Sequence, residues 1–136
     1  AQDFSRSRKW LERALARGAS EPNFELALLY SDETNISFDD AKAAQYLAAA
    51  IRANEPRACL ISARNQMTDG ASFRNVIEEV MCAADGGLVE AMEMLGNFHL
   101  TQRSPYAERR ARLWLQRAML AGSQSASETL ANLSAD

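Results

Sequence analysis

Aligned on one alanine each, four stretches of the chain fall into register without a gap: RALARGASEPNFELA (13–27), AAIRANEPRACLISA (49–63), CAADGGLVEAMEMLG (82–96) and RAMLAGSQSASETLA (117–131). The reference alanines are Ala14, Ala50, Ala83 and Ala118, so the spacings are 36, 33 and 35 residues. A period of this size is the length of a helical hairpin, which cannot bury its apolar face alone and must stack on a neighbour. Gly18, Asn54, Gly87 and Gly122 share one alignment position. It lies just past a helix end, where glycine or asparagine takes the left-handed backbone that stops a helix at least cost.

Composition supports helices and little else. The chain has 25 alanines among 136 residues and only 7% aromatics, which suits close helix packing, and strand signals are nearly absent. Start and stop signals give eight helices, roughly 3–17, 21–31, 39–53, 56–67, 72–85, 88–101, 105–121 and 124–133, in antiparallel pairs. Asp3, Asp39 and Ser72 are candidate N-caps, and Pro105 suits a first helical turn. The longest loop, Ser31 to Phe38, is polar and compact. A net charge of −3 offers no field to gather nucleic acid. No apolar run reaches the roughly 18 residues of a membrane span, and AAQYLAAAIRA (43–53) is interrupted by Gln45 and Arg52.

The same residues resemble the Sel1-like repeat (SLR) family, relatives of the tetratricopeptide repeat. The family's first helix reads Ala-x-x-x-Leu-Gly-x-x-Tyr, and AMEMLGNFH (91–99) is similar to it, with Leu95-Gly96 in place. NISFDDAKAAQYLAAAIRAN (35–54) resembles the family loop and second helix through Ile36, Asp39, Ala43, Tyr46 and Ala50. ARLWLQRAMLAG (111–122) and SRKWLERALARG (7–18) repeat that second helix, with Trp114 and Trp10 at its aromatic position. Glu79 replaces this aromatic in the middle repeat, where Ser62 and Gln66 also replace Leu and Tyr. The resemblance implies an all-α, right-handed α-solenoid forming one domain over 1–136: a capping helix at 3–18, repeats at about 19–54, 55–87 and 88–122, and a closing helix at 124–133. Trp10, Tyr46 and Trp114 are then expected to wedge between hairpins, with Glu79 marking a weaker junction.

Residues that could carry chemistry are few. His99 is the only histidine and stands at the family's structural tyrosine position, so it reads as structural; no metal site, cofactor or catalytic residue is assigned. Cys59, early in the fourth helix, and Cys82, late in the fifth, lie at similar heights of a hairpin, which leaves a disulfide open. A disulfide-rich branch of the family pairs the Cys59 position with that of Ala84 instead, two residues from Cys82, so two idle thiols are the default. Glu78, Glu79, Asp85, Glu90 and Glu93 lie in a stretch without Lys or Arg and read as a solvated acidic face, since no calcium-loop spacing exists. Arg103, Arg109, Arg110, Arg112 and Arg117 make the seventh helix basic, and Arg6, Arg8, Lys9, Arg13 and Arg17 the first.

By resemblance, the function is a non-catalytic adaptor or scaffold that binds a protein or peptide in a concave groove. The alternative is a periplasmic immunity protein that neutralises a secreted antibacterial toxin such as a type VI lipase effector; a homo-oligomer is a third reading. The chain opens at Ala1-Gln2 rather than methionine. Removal of an upstream segment at an expression boundary or by a signal peptidase would account for this, and the expected location is periplasmic or exported, with cytoplasmic as the alternative. In tetratricopeptide-like hairpins the first-type helices line the groove. Counting from the Ala and Leu-Gly stripe places Glu21, Phe24 and Leu28, then Arg57, Leu60 and Arg64, then Glu90, Glu93 and Asn97, and finally Glu128 and Asn132 there. Phe24, Leu28 and Leu60 would form an open apolar patch between two arginines and two glutamates. Burial of Phe24 and Leu28 by the N-terminal helix or by a shifted register is the competing reading.

Overall fold

The computed structural model describes residues 2–16, 22–31 and 39–135, which contain eight α-helices: α1 (Gln2–Ala16), α2 (Pro22–Ser31), α3 (Asp40–Arg52), α4 (Pro56–Thr68), α5 (Phe73–Asp85), α6 (Val89–Thr101), α7 (Pro105–Leu120) and α8 (Gln124–Ala135). Every boundary falls within two residues of its expected place. Gly18, Glu21 and the loop residues through Phe38 lie outside the described residues.

The caps explain the agreement. Asp39 accepts hydrogen bonds from the Ala41 and Lys42 amides at 3.1 and 3.2 Å, as expected of an N-cap. Pro105 opens α7, but the cap there is Ser104, which accepts from the Ala107 amide. Ser72 takes the N-cap position of α5 but makes no side-chain cap bond, and α1 begins at Gln2, so Asp3 lies inside its first turn and not before it. At the helix ends the repeat is visible atom by atom. Asn54, Gly87 and Gly122 have φ of +58°, +97° and +105°, and the amides that follow them, of Glu55, Leu88 and Ser123, donate to the carbonyls of Ala50, Ala83 and Ala118. The reference alanines are therefore the acceptors of three equivalent Schellman closures. All three are buried to 1% exposure or less.

Close packing divides the chain into two compact units, Ala1–Ala58 and Cys59–Asp136. In the first, Leu26, Tyr30 and Ala43 form the core, with Leu11, Leu29 and Tyr46 against it. The Tyr30 and Tyr46 rings stack at 5.6 Å between α2 and α3, and the Tyr30 hydroxyl donates to Glu12 Oε1 of α1 at 2.6 Å. The second unit buries Val76, Val80, Leu95 and Leu115 almost completely. At Gly96 an added Cβ would lie 2.7 Å from Leu115 Cγ of α7, so the Leu-Gly pair sets the α6–α7 spacing as expected. Cys59 and Cys82 are joined in a disulfide across α4 and α5, with Cα atoms 6.2 Å apart. This corrects the default of two idle thiols: late in α5, Cys82 itself comes within bridging distance of α4, while Ala84 is buried.

Candidate partner-binding surfaces

In the first unit the expected groove residues divide sharply. Phe24 is 4% exposed, and the Arg57 guanidinium lies 4.3 Å from its ring centroid. Arg57 is itself held on both sides, by Glu55 and Glu25 at 3.0 Å each. The hydrogen bond from Arg57 keeps the Glu55 carboxyl below its usual range, and the same bond raises the Arg57 pKa. Leu28, in contrast, is 47% exposed. It lines a groove of about 610 Å³ with Trp10, Leu11 and Leu29, and Arg6 and Glu25 also line it.

Trp10 is the largest departure from expectation. It is 74% exposed rather than wedged between hairpins. Its counterpart Tyr46 is held by a second ring, that of Tyr30, and the Trp114 ring is covered by the Arg117 guanidinium at 4.9 Å. The Trp10 ring lines the α1–α2 groove and remains largely in solvent.

In the second unit Leu60 is 7% exposed, so neither it nor Phe24 belongs to an open apolar patch; of the three apolar residues assigned to the groove, Leu28 alone is exposed. Arg64 pairs with Glu90, so these charges neutralise one another instead of flanking a groove from opposite sides. Facing first-type positions of consecutive repeats bring them together. Both are about half exposed, which makes the pair weak. Glu93 accepts from the Ser123 hydroxyl, which in turn accepts the Ala126 amide at the start of α8. That places Glu93 in a helix-capping chain. Asn97, Glu128 and Asn132 are exposed, and Glu128 accepts from Gln124 one turn earlier.

The acidic stretch is mostly solvated, with one correction. Glu79 Oε1 accepts from Gln66 Nε2 at 3.3 Å, while its Oε2 is buried without a partner. Glu79 stands in the slot of the lost aromatic, which faces Gln66 of α4 and leaves one carboxylate oxygen buried. Ser104 and Ser123 cap α7 and α8, and each stands in the sequence immediately before its helix, beside the proline or glycine that also marks the boundary.

His99 shares two surface pockets with Ser104, yet Ser104 Oγ is engaged as the α7 cap. Burial, and then the charge of Arg110, lower the His99 pKa. Both sulfurs are in the disulfide. Among the described residues, no cluster of three or more His, Cys, Asp or Glu could hold a metal, and no helix is long and apolar enough to cross a membrane.

The sequence matches no protein-family model and no curated protein. The fold does find relatives among solved structures. It is similar to a Sel1 repeat protein from Oxalobacter formigenes, with a TM-score of 0.75, 20% identity, and coverage of 90% of this chain and 95% of that one. It is also similar to a protective antigen of uropathogenic Escherichia coli strains that displays an SLR fold, with a TM-score of 0.68 and 20% identity over 97% of this chain. The chain spans 29% of that longer protein. Paired helices, the recurring Schellman closures and these neighbours together identify an all-α solenoid with the Sel1-like repeat fold.

Proposed function

We propose that the chain is a non-catalytic protein-interaction module that takes an apolar segment of a protein partner against the α1–α2 groove. The observation that carries this is the pairing of a Trp at 74% exposure with a half-exposed Leu28 in one groove, since large apolar side chains grouped in a concavity mark interaction sites more often than single surface residues do. Arg6 also lines the groove, whereas Glu25 is already paired with Arg57, which favours a segment that carries an acidic residue beside its apolar face. In the second unit, the exposed Asn97, Glu128 and Asn132 are proposed as polar contacts of the same kind.

The periplasmic inhibitor reading is favoured by one observation, the disulfide, because such bonds persist in oxidising compartments. Capture of partners from the native host by the immobilised chain tests both readings. An adaptor is expected to recover several proteins and an inhibitor one, in stoichiometric amount; in either case Leu28→Asp should abolish the capture. Recovery of nothing specific, or capture indifferent to Leu28→Asp, would overturn the groove assignment.

A further inference from the structure

A second concavity, of about 430 Å³, lies among α5, α6 and the start of α7. Phe98, His99 and Tyr106 line it; the Phe98 ring meets His99 at 5.6 Å and is backed by Phe73, whose ring stacks on it at 4.6 Å. Two arginines, Arg74 and Arg110, also line it. The Arg74 guanidinium lies 5.9 Å from the Phe98 centroid and donates to Gln102 Oε1 at 2.9 Å; that of Arg110 lies 5.0 Å from the centroid of Tyr106, which is 60% exposed.

Neither arginine is among the ion pairs formed by the described residues. Glu78 stands one helical turn from Arg74, yet Arg74 turns to the neutral Gln102. Glu108, two residues from Arg110, is bound by Arg112 at 2.9 Å. A guanidinium has five N–H donors in a planar fork; Arg74 spends one on the neutral Gln102, and the donors that remain match the two oxygens of a carboxylate. The lowered His99 pKa, caused partly by Arg110, is consistent with a locally positive rim.

We propose that this pocket receives a carboxylate side chain next to an apolar one on a protein partner, with Arg74 and Arg110 as donors to the carboxylate and Phe98 and Tyr106 as the apolar wall. The proposal rests on the reading of the chain as a protein-interaction module. Aromatic walls and a chain of net charge −3 favour a short acidic–apolar peptide over a polyanion, which would need an extended basic track.

The test uses NMR titration of the full chain with the blocked dipeptide acetyl-Phe-Glu-amide and its Phe-Gln counterpart. Saturable shifts at Phe98, His99 and Tyr106 are expected, with binding of the Phe-Gln peptide weaker by about tenfold and a similar loss in Arg74→Gln and Arg110→Gln. Equal binding of the two peptides, shifts elsewhere on the surface, or no binding of either would overturn the proposal. Displacement of the peptide by inorganic phosphate at equal concentration would also overturn it, by making the pocket a general anion site. The two proposals fail separately: a native partner lost on Leu28→Asp but retained by the Arg74→Gln/Arg110→Gln double variant overturns this pocket alone, whereas peptide binding here with no protein captured from the host overturns the module reading.

Discussion

The α2–α3 and α4–α5 hairpins put different chemistry into the same slot. Tyr30 and Tyr46 occupy it in the first, stacked at 5.6 Å and nearly parallel. Gln66 and Glu79 hold the equivalent positions in the second and meet through one hydrogen bond of 3.3 Å, with Ser62 bound to the same amide and Glu79 Oε2 left unpaired. The disulfide lies in this polar hairpin. A repeat fold thus tolerates loss of its aromatic packing where a covalent link holds the same two helices.

The disulfide is therefore the most damaging point at which to break the comparison. It closes a loop with a sequence separation of 23, for which loop entropy gives about 3 kcal/mol. Cys59→Ala with Cys82→Ala should lower unfolding free energy in urea by about that amount, and hydrogen exchange should rise first in α4 and α5. An unchanged midpoint, or α5 as the best-protected helix of the reduced chain, would contradict the contrast.

Next in size is Gly96. Ala would gain up to about 1 kcal/mol of helix propensity but push against the buried Leu115, and Leu would add far more volume at the same place. Gly96→Leu should cost about 1–3 kcal/mol or more in thermal or chemical unfolding, whereas the same substitution at an exposed helical position would not.

These two cases show how far the sequence could be read. The period, the helix ends at Asn54, Gly87 and Gly122, and the Leu95-Gly96 packing pair were legible because each depends on local backbone geometry or on the absence of a side chain. The disulfide was legible only as a distance condition, since the rotation of α5 that brings Cys82 to α4 is set by tertiary packing. Groove residues were the least legible. Helical counting assigns a face but not what covers it, so Phe24 and Leu60 proved buried, Arg64 and Glu90 paired, and Trp10, read as a wedge, stands exposed.

A smaller effect sharpens the comparison from the polar side. Glu79→Met removes the unpaired buried oxygen while Gln66 keeps Ser62 as a partner, and should stabilise the chain by about 1 kcal/mol. Lower stability would mean that the Gln66–Glu79 bond is worth more than its buried orphan costs.

The smallest effect appears only in alkali. Burial, followed by the hydrogen bond to Glu12, pushes the Tyr30 hydroxyl from 10.0 up to about 12. The folded state holds this proton more tightly than the unfolded chain does. The contribution is therefore complete below pH 10 and is lost as pH rises toward 12. Tyr30→Phe should flatten that part of the stability profile, as read by urea unfolding across the range. An equally steep fall in the variant would place the alkaline loss elsewhere.

The exposed apolar groove of the first unit is proposed to receive a protein partner. The most direct measurement of this is the affinity of a captured native partner for the wild-type chain, Leu28→Asp and Trp10→Ala, alongside circular dichroism of each. A loss of about tenfold or more is expected for both variants with helicity unchanged, as for a hot-spot pair. Full affinity in both variants would contradict it.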